Sequence, residues 1–285
     1  MAHLADYDTK RQYTATVKKT RRLSPDDTDE VRELLLEVKQ PEFKCKVDQS
    51  FGVLVNIAGD FGNTIHHRLY SVADLPAQKK KKTQLTVLVR RCFFVDDFNG
   101  ERYDGIGSNY LCDRQVGDEI SITGPFELPF SIPEGPDTNL ILIGLGTGIA
   151  PFRALIKHIY KHVEGWQGRI LLFHGARSGL ELLYANDKDD DLTNYYDEET
   201  FESINALSPR PLWNDPVILD QAIEDRSQEI LEMLSLLNTY IYVAGHDKIK
   251  KMLDKAFANI LGSQEKWETR RAELIEEKRW AELIY

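Results

Sequence analysis

Thiols are scarce in this 285-residue chain, with three cysteines at positions 45, 92 and 112. They form no C-x-x-C pair, fall one short of the four that an all-cysteine iron–sulfur site needs, and do not make a disulfide framework. Seven histidines include the neighbours His66 and His67 but no H-E-x-x-H, and two adjacent histidines in a loop read more simply as polar residues than as ligands. No metal site is expected, so redox chemistry would come from a bound organic cofactor. Long apolar runs are missing too. The longest, Leu140 to Phe152, is interrupted by three glycines and falls short of the ~20 residues that span a bilayer. The opening MAHLADYDTKRQ has no basic stretch followed by an apolar one, nor the Arg- and Ser-rich, acid-poor character of a transit peptide. A soluble, cytoplasmic protein without a transmembrane segment is expected. Positive charge is in deficit: the net charge is −10, with −2 over residues 1–135 and −8 over 136–285. That disfavours nucleic acid or an anionic membrane as a general partner.

Apolar material is sufficient, at 42% of residues against 29% charged, and the length suits about two domains. The first part reads as β-structure. Arg11 to Thr20 alternates Tyr13, Ala15 and Val17 with polar neighbours, and Val31 to Val38, Phe51 to Ile57, Leu85 to Val95 and Glu119 to Thr123 are further strand candidates. Turn residues separate them at Ser24-Pro25-Asp26-Asp27, Gly59-Asp60-Phe61-Gly62 and Asn99-Gly100. Many short strands at this spacing suggest an antiparallel β-barrel. Residues Ser131 to Asn139, rich in Pro, Gly and polar side chains, make the best linker. After it, apolar runs at Leu140 to Ile143, Ile170 to His174 and Tyr240 to Ala244 alternate with helical spacing at Pro151 to His162, Ile223 to Leu237 and Lys248 to Ile260. That rhythm implies a doubly wound parallel α/β domain. The expected division is a β-barrel over residues 1–135 and an α/β domain over 136–285. The acidic run Asp187 to Asp191 reads as a solvated loop.

Gly144-Leu-Gly-Thr-Gly-Ile-Ala-Pro-Phe-Arg153 follows a strand and opens a helix. A helix N-terminus offers unpaired N–H groups and the positive end of its dipole, and glycines let backbone approach an anion. A tight strand–helix turn that binds nothing is the plain alternative. The spacing is not the usual dinucleotide fingerprint, because the third glycine, Gly148, comes one residue early.

The segment Gly146-Thr-Gly-Ile-Ala-Pro-Phe-Arg153 nevertheless resembles the nucleotide motif of the ferredoxin–NADP+ reductase family. Other segments are similar in the same order: Arg68-Leu69-Tyr70-Ser71, Gly105-Ile106-Gly107-Ser108-Asn109-Tyr-Leu-Cys-Asp113, Ile122-Thr-Gly-Pro125, Gly175 to Tyr184, and Tyr240 to Gly245. The final Tyr285 matches the plant-type branch, and the likeness covers roughly residues 45 to 285.

The resemblance implies FAD on the barrel and NADP(H) on the α/β domain. Arg68 would meet a flavin phosphate, Leu69 belongs to the same motif, Tyr70 would lie against the isoalloxazine, and Ser71 would place its hydroxyl near N5. Phe94 would lie under the adenine, or else pack into the barrel core. Gly105, Ile106, Gly107 and an N-capping Ser108 would hold the diphosphate. Gly146, Thr147 and Gly148 would seat the nicotinamide nucleotide, with Arg177 or Ser178 on its phosphates and Ser208 and Arg210 at a 2′-phosphate. Tyr285 would cover a flavin face as a gate for nicotinamide, with a frayed end as the alternative; Ser71 and Tyr285 are the expected catalytic residues. An acidic carrier, ferredoxin or flavodoxin, would be steered by Lys18, Lys19, Arg21, Arg22, Lys79 to Lys82, Arg90 and Arg91, unless the lysine run is only a solvated hairpin tip.

There are departures from the family pattern. Gly107 and Ala244 stand where the plant-type branch has cysteine, and Leu283, with Glu282 one step earlier, stands where it has glutamate. Asp215-Pro-Val217 replaces its Lys-x-Tyr, which leaves NAD(H) possible beside the favoured NADP(H). Three rival readings remain open: the reductase component of an oxygenase system, a flavin-binding electron-transfer subunit without nicotinamide chemistry, and a nucleotide-binding interaction module.

Overall fold

The computed structural model describes residues 6–285 apart from 60–61, 80, 97, 134, 186–190, 196–197 and 214. Asp60 and Phe61 of one expected turn, Lys80 of the lysine run, Glu134 of the linker and most of the acidic run at 187–191 lie outside the described residues. The chain forms two compact units, Met1–Leu128 and Pro129–Tyr285. Among the described residues no helix is long and apolar enough to cross a membrane.

The first unit contains β1 (Gln12–Arg22), β2 (Val31–Val38), β3 (Gln49–Gly59), β4 (Gly62–Ser71), β5 (Ala77–Lys79), β6 (Lys82–Arg90), β7 (Phe93–Val95), β8 (Arg102–Asp104), α1 (Ile106–Cys112) and β9 (Glu119–Glu127). Seven of these strands form an antiparallel sheet in the order β4-β3-β9-β1-β2-β6-β5, while β7 and β8 make a separate hairpin. The sheet is barrel-like, because β4 and β6 touch although they lie far apart in the hydrogen-bonded order. Period-two alternation puts Tyr13, Ala15 and Val17, Leu34 and Leu36, Phe51 and Val53, Leu85 and Val87, and Ile120 and Ile122 inside. Each buried Val, Leu, Ile or Phe of this set stabilises the fold by roughly 1.5–3 kcal/mol. Helix α1 packs on β3, β4 and β6.

The expected strand from Leu85 to Val95 is two strands. The chain leaves the sheet at Arg90, and Arg91 is taken up by Glu30 (2.7 Å), Asp113 (2.8 Å) and the side-chain oxygen of Asn109 (2.8 Å).

The second unit contains β10 (Asn139–Leu145), a 3₁₀ turn at Gly146–Gly148, α2 (Ile149–His162), β11 (Ile170–Ala176), β12 (Phe201–Leu207), α3 (Leu219–Glu224), α4 (Ser227–Ser235), β13 (Thr239–Gly245), α5 (Lys248–Leu261), α6 (Gln264–Glu276) and β14 (Trp280–Ile284). Its five strands are parallel in the order β12-β11-β10-β13-β14. The apolar face carrying Ile141, Ile143, Leu171, Phe173, Ile241 and Val243 is covered by Ile223, Ile230, Ile249, Leu253 and Phe257 of α3, α4 and α5. Trp267 of α6 is fully buried and stacks on Phe257, with ring centroids 4.6 Å apart. The helix expected from Ile223 to Leu237 is interrupted between Glu224 and Ser227, giving α3 and α4. Phe130 packs on Phe152 and Tyr242, and the Tyr242 hydroxyl donates to the Ser131 carbonyl at 3.2 Å. The start of the expected linker is thereby tied to the second unit.

Candidate functional site

On the first unit, β4 delivers the Arg68–Ser71 stretch opposite β3, with Arg68 exposed and Leu69, Tyr70 and Ser71 half-buried. The start of α1 crosses directly over this strand. A β-carbon at Gly107 would stand 3.1 Å from the Tyr70 hydroxyl and 3.3 Å from Cγ of Arg68, so the absence of a side chain at 107 lets the helix approach. Arg68 makes no ion pair among the described residues, and its charge, after burial, helps to hold His66 below the usual histidine range. Burial pushes the Tyr70 phenol well above its ordinary range, so it stays a neutral hydroxyl. The stem of an arginine without an ion-pair partner among the described residues thus lies beside the start of α1, whose first N–H groups have no partners within the helix.

Ser108 is not the N-cap. Gly105 occupies that position, and Ser108 lies inside the first turn, where its hydroxyl accepts from the Cys92 N–H (3.1 Å) and donates to the Gly105 carbonyl (3.2 Å). The side-chain amide of Asn109 donates to the carbonyls of Gly105 (2.8 Å) and Cys92 (2.9 Å). These bonds fasten the start of α1 to the chain leaving β6. Phe94 does not pack into the barrel core. It lies on the β7–β8 hairpin, 58% exposed and stacked on Tyr103 at 5.2 Å, and Phe98 between those two strands is wholly exposed. Such flat, accessible rings are a platform for a planar heterocycle.

Much of the expected basic surface is neutralised within the unit. Arg21 pairs with Glu33, Arg90 with Asp29, Arg91 with Glu30, and Lys82 with Glu37. Lys18 and Lys19 remain exposed on β1.

On the second unit, the Gly146–Gly148 turn links β10 to α2 at the carboxyl ends of the parallel strands, where ligands of such sheets bind. Gly148 is sterically required: a β-carbon there would lie 2.1 Å from the Ala244 carbonyl oxygen. No acid occupies the first turn of α2, so nothing opposes its positive dipole. The hydroxyls of Thr147 and Tyr285 lie 2.8 Å apart, and the Tyr285 N–H donates to the Gly245 carbonyl at 3.2 Å. The terminal ring is therefore fixed over the glycine turn, although 59% exposed.

The loops after β11 and β12 bring Arg177, Ser178, Ser208 and Arg210 together. The guanidinium of Arg177 donates to the Pro211 carbonyl (2.7 and 3.1 Å), and the Ser208 N–H donates to the Arg177 carbonyl (3.3 Å). Ser178 donates to the Glu181 carboxylate at 2.8 Å. The hydroxyl of Ser208 donates to the Asp215 carbonyl and Nε of Arg210 to the Asp215 carboxylate, both at 2.7 Å.

Residues 142–255 match the family model of the oxidoreductase NAD-binding domain. The ferredoxin–NADP reductase of Picosynechococcus sp. is 26% identical over 266 residues, which cover 90% of this chain and 65% of that protein. The chloroplastic ferredoxin–NADP reductase of Mesembryanthemum crystallinum is also 26% identical, over 98% of this chain and 78% of its own length. A solved structure of ferredoxin–NADP+ reductase from Plasmodium falciparum shares the fold at a TM-score of 0.70, with 19% identity and 98% of each chain covered. A structure of the same protein with 2′P-AMP gives 0.72 at 18% identity.

The chain is similar in sequence and fold to ferredoxin–NADP reductases over nearly its whole length. Two of its departures from the plant-type pattern are one feature in space. Ala244 of β13 and Leu283 of β14 are direct register partners, so an apolar pair stands where the resemblance implies a thiol and a carboxylate. Glu282, one residue earlier, is no substitute. Its carboxylate accepts from Nε1 of Trp280 and from Arg271, which ties it to α6.

Sequence reasoning missed the engagement of Arg153 within the reductase motif. Arg153 is buried, forms a bidentate pair with Asp191, and lies 3.9 Å from the ring centroid of fully buried Tyr184. The conjunction of Phe152-Arg153 with Leu182-Leu-Tyr184 was the available signal.

Proposed function

We propose that this chain is a FAD-dependent oxidoreductase that exchanges hydride between NADP(H) and FAD and single electrons with a ferredoxin or flavodoxin-type carrier. The first unit holds FAD and the second the pyridine nucleotide. The carrying observation is the exposed Arg68, without a carboxylate partner among the described residues, set with Tyr70 against Gly107 at the start of α1. That grouping fits the flavin nucleotide: a cation and free N–H groups for its diphosphate, a neutral phenol for its ring, and the Phe94–Tyr103 platform for its adenine. Bound FAD supplies the passage between two-electron and one-electron chemistry.

The residues of the chain do the positioning. Arg68, with the N–H groups of Ile106, Gly107 and Ser108, anchors phosphate, while Gly105 shapes the entry. Tyr70, flanked by Leu69, presents a ring face, and Ser71 offers a hydroxyl to the reactive edge. Thr147, between Gly146 and Gly148, seats the nicotinamide half of the nucleotide, and Tyr285 must leave Thr147 when that half arrives. Arg177, Ser178, Ser208 and Arg210 receive the phosphate-bearing end. Lys18 and Lys19 contribute to carrier docking. A soluble, cytoplasmic location belongs to the same proposal.

The test is anaerobic. Purified protein should carry a flavin absorption spectrum that NADPH bleaches, with recovery on adding oxidised ferredoxin. A colourless protein that takes up no FAD would end the proposal. The apolar Ala244–Leu283 pair favours a second reading, the reductase component of an oxygenase system. Flavin reduction by nucleotide without reoxidation by ferredoxin or flavodoxin would decide for it.

A further inference from the structure

The carboxyl ends of β11 and β12 adjoin that of β10. A dinucleotide seated on the Gly146–Gly148 turn and laid along these ends reaches the loops at Arg177–Ser178 and 208–215. Its distal ribose carries, at the 2′ position, either a hydroxyl or a phosphate. The first donates a hydrogen bond and the second brings negative charge. In parallel nucleotide-binding sheets an acid reads the hydroxyl and an arginine reads the phosphate. This chain holds one of each in contact, with Nε of Arg210 2.7 Å from the carboxylate of Asp215. Arg210 is well exposed, at 66% of its side chain, while Asp215 is at 24%, so the acid is the more enclosed partner and the arginine the more accessible one. The hydroxyl proton of Ser208 is committed to the Asp215 carbonyl, and that of Ser178 to Glu181.

We propose that the Arg210–Asp215 pair determines specificity in the dinucleotide site. The Asp215 carboxylate accepts the 2′-hydroxyl of NAD(H) and competes with the 2′-phosphate of NADP(H) for Arg210, so the chain discriminates only weakly between the two. The loop carries its own anion in the place of the phosphate. An incoming 2′-phosphate must separate Arg210 from Asp215 and then lie beside a second carboxylate, Glu181, on Ser178. An incoming 2′-hydroxyl needs neither step. This inference rests on the reading of the second unit as a nucleotide site.

Calorimetric titration of the whole protein with 2′,5′-ADP and with 5′-AMP reads the effect without turnover. Asp215→Asn keeps the shape and removes the charge. It should tighten 2′,5′-ADP by about tenfold while leaving 5′-AMP within about threefold. Asp215→Glu should keep the weak discrimination of the wild type. Adding Arg210→Ala to Asp215→Asn should erase the gain, as coupled partners require. Both probes binding with an affinity ratio unmoved by Asp215→Asn would overturn the proposal and leave the nucleotide site standing. Neither probe binding to any of these proteins would overturn both.

Discussion

The hydroxyl of Tyr285 sits 2.8 Å from that of Thr147, in the middle of the turn proposed to seat the nucleotide. In the proposed gating role this bond closes the position with a group of the protein itself, and a ligand there has to break it. A neutral hydrogen bond of this kind is worth about 1 kcal/mol, or roughly fivefold in an equilibrium constant. Tyr285→Phe should therefore tighten NADP+ by about that factor, measured by titration. Tyr285→Ser removes the ring as well and should raise kcat/KM for NADH more than for NADPH. Unchanged nucleotide affinity in both variants would remove Tyr285 from the proposed gating role.

Arg68 is exposed and makes no ion pair among the described residues, so its loss should leave the fold almost untouched, within about 0.5 kcal/mol. Arg68→Ala should show an unchanged melting temperature as apoprotein and a much reduced ratio of flavin to polypeptide after reconstitution. Absorbance and thermal unfolding read the two effects separately.

Gly148 behaves differently. A methyl group there would lie 2.1 Å from the Ala244 carbonyl oxygen, so β13 or the turn must shift. Gly148→Ala should cost on the order of 1–3 kcal/mol by overpacking, together with most of the nucleotide affinity. Denaturant unfolding and NADP+ titration measure the two losses.

His174 lies fully buried on β11 with neither ring nitrogen hydrogen-bonded, and burial lowers its pKa to about 4. The unfolded chain takes up this proton near pH ~6.5, where the folded chain refuses it. The contribution to stability is therefore complete above about pH 6.5 and is lost as the pH falls towards 4. Urea unfolding from pH 7.5 to 4.5 should show a decline of about 2–3 kcal/mol attributable to this group. His174→Leu should flatten that part of the profile without loss at pH 7.5, since a buried polar ring without partners is replaced by an apolar side chain.

The glycine turn was legible because a strand, a tight turn and a helix each leave a local pattern. Other boundaries depended on distant partners. Apolar residues resume directly after Arg90-Arg91, so the two runs read as one strand, yet the strand stops there because Arg91 answers to Glu30, Asp113 and Asn109. Ser108 has the chemistry of an N-cap, but hydrogen bonds to Cys92 and Gly105 draw it inside the first turn. Helix α6 shows little periodicity because it buries only Trp267 and Leu274, and no helical segment was expected there. The grouping of Arg177, Ser178, Ser208 and Arg210 was implied by resemblance, whereas the saturation of that cluster by Glu181, Asp215 and backbone carbonyls is visible only in three dimensions. The basic surface was overestimated for the same reason, since summed charge does not reveal which acids fold back onto it.

Because Ala244 and Leu283 are register partners on adjacent parallel strands, a thiol and a carboxylate cannot be brought to this spot one residue at a time. Glutamate alone at 283 would set a carboxylate beside a methyl group, and cysteine alone at 244 would set a thiol beside an isobutyl chain. A change at either position alone therefore leaves the other without its match, so the two positions act as one unit.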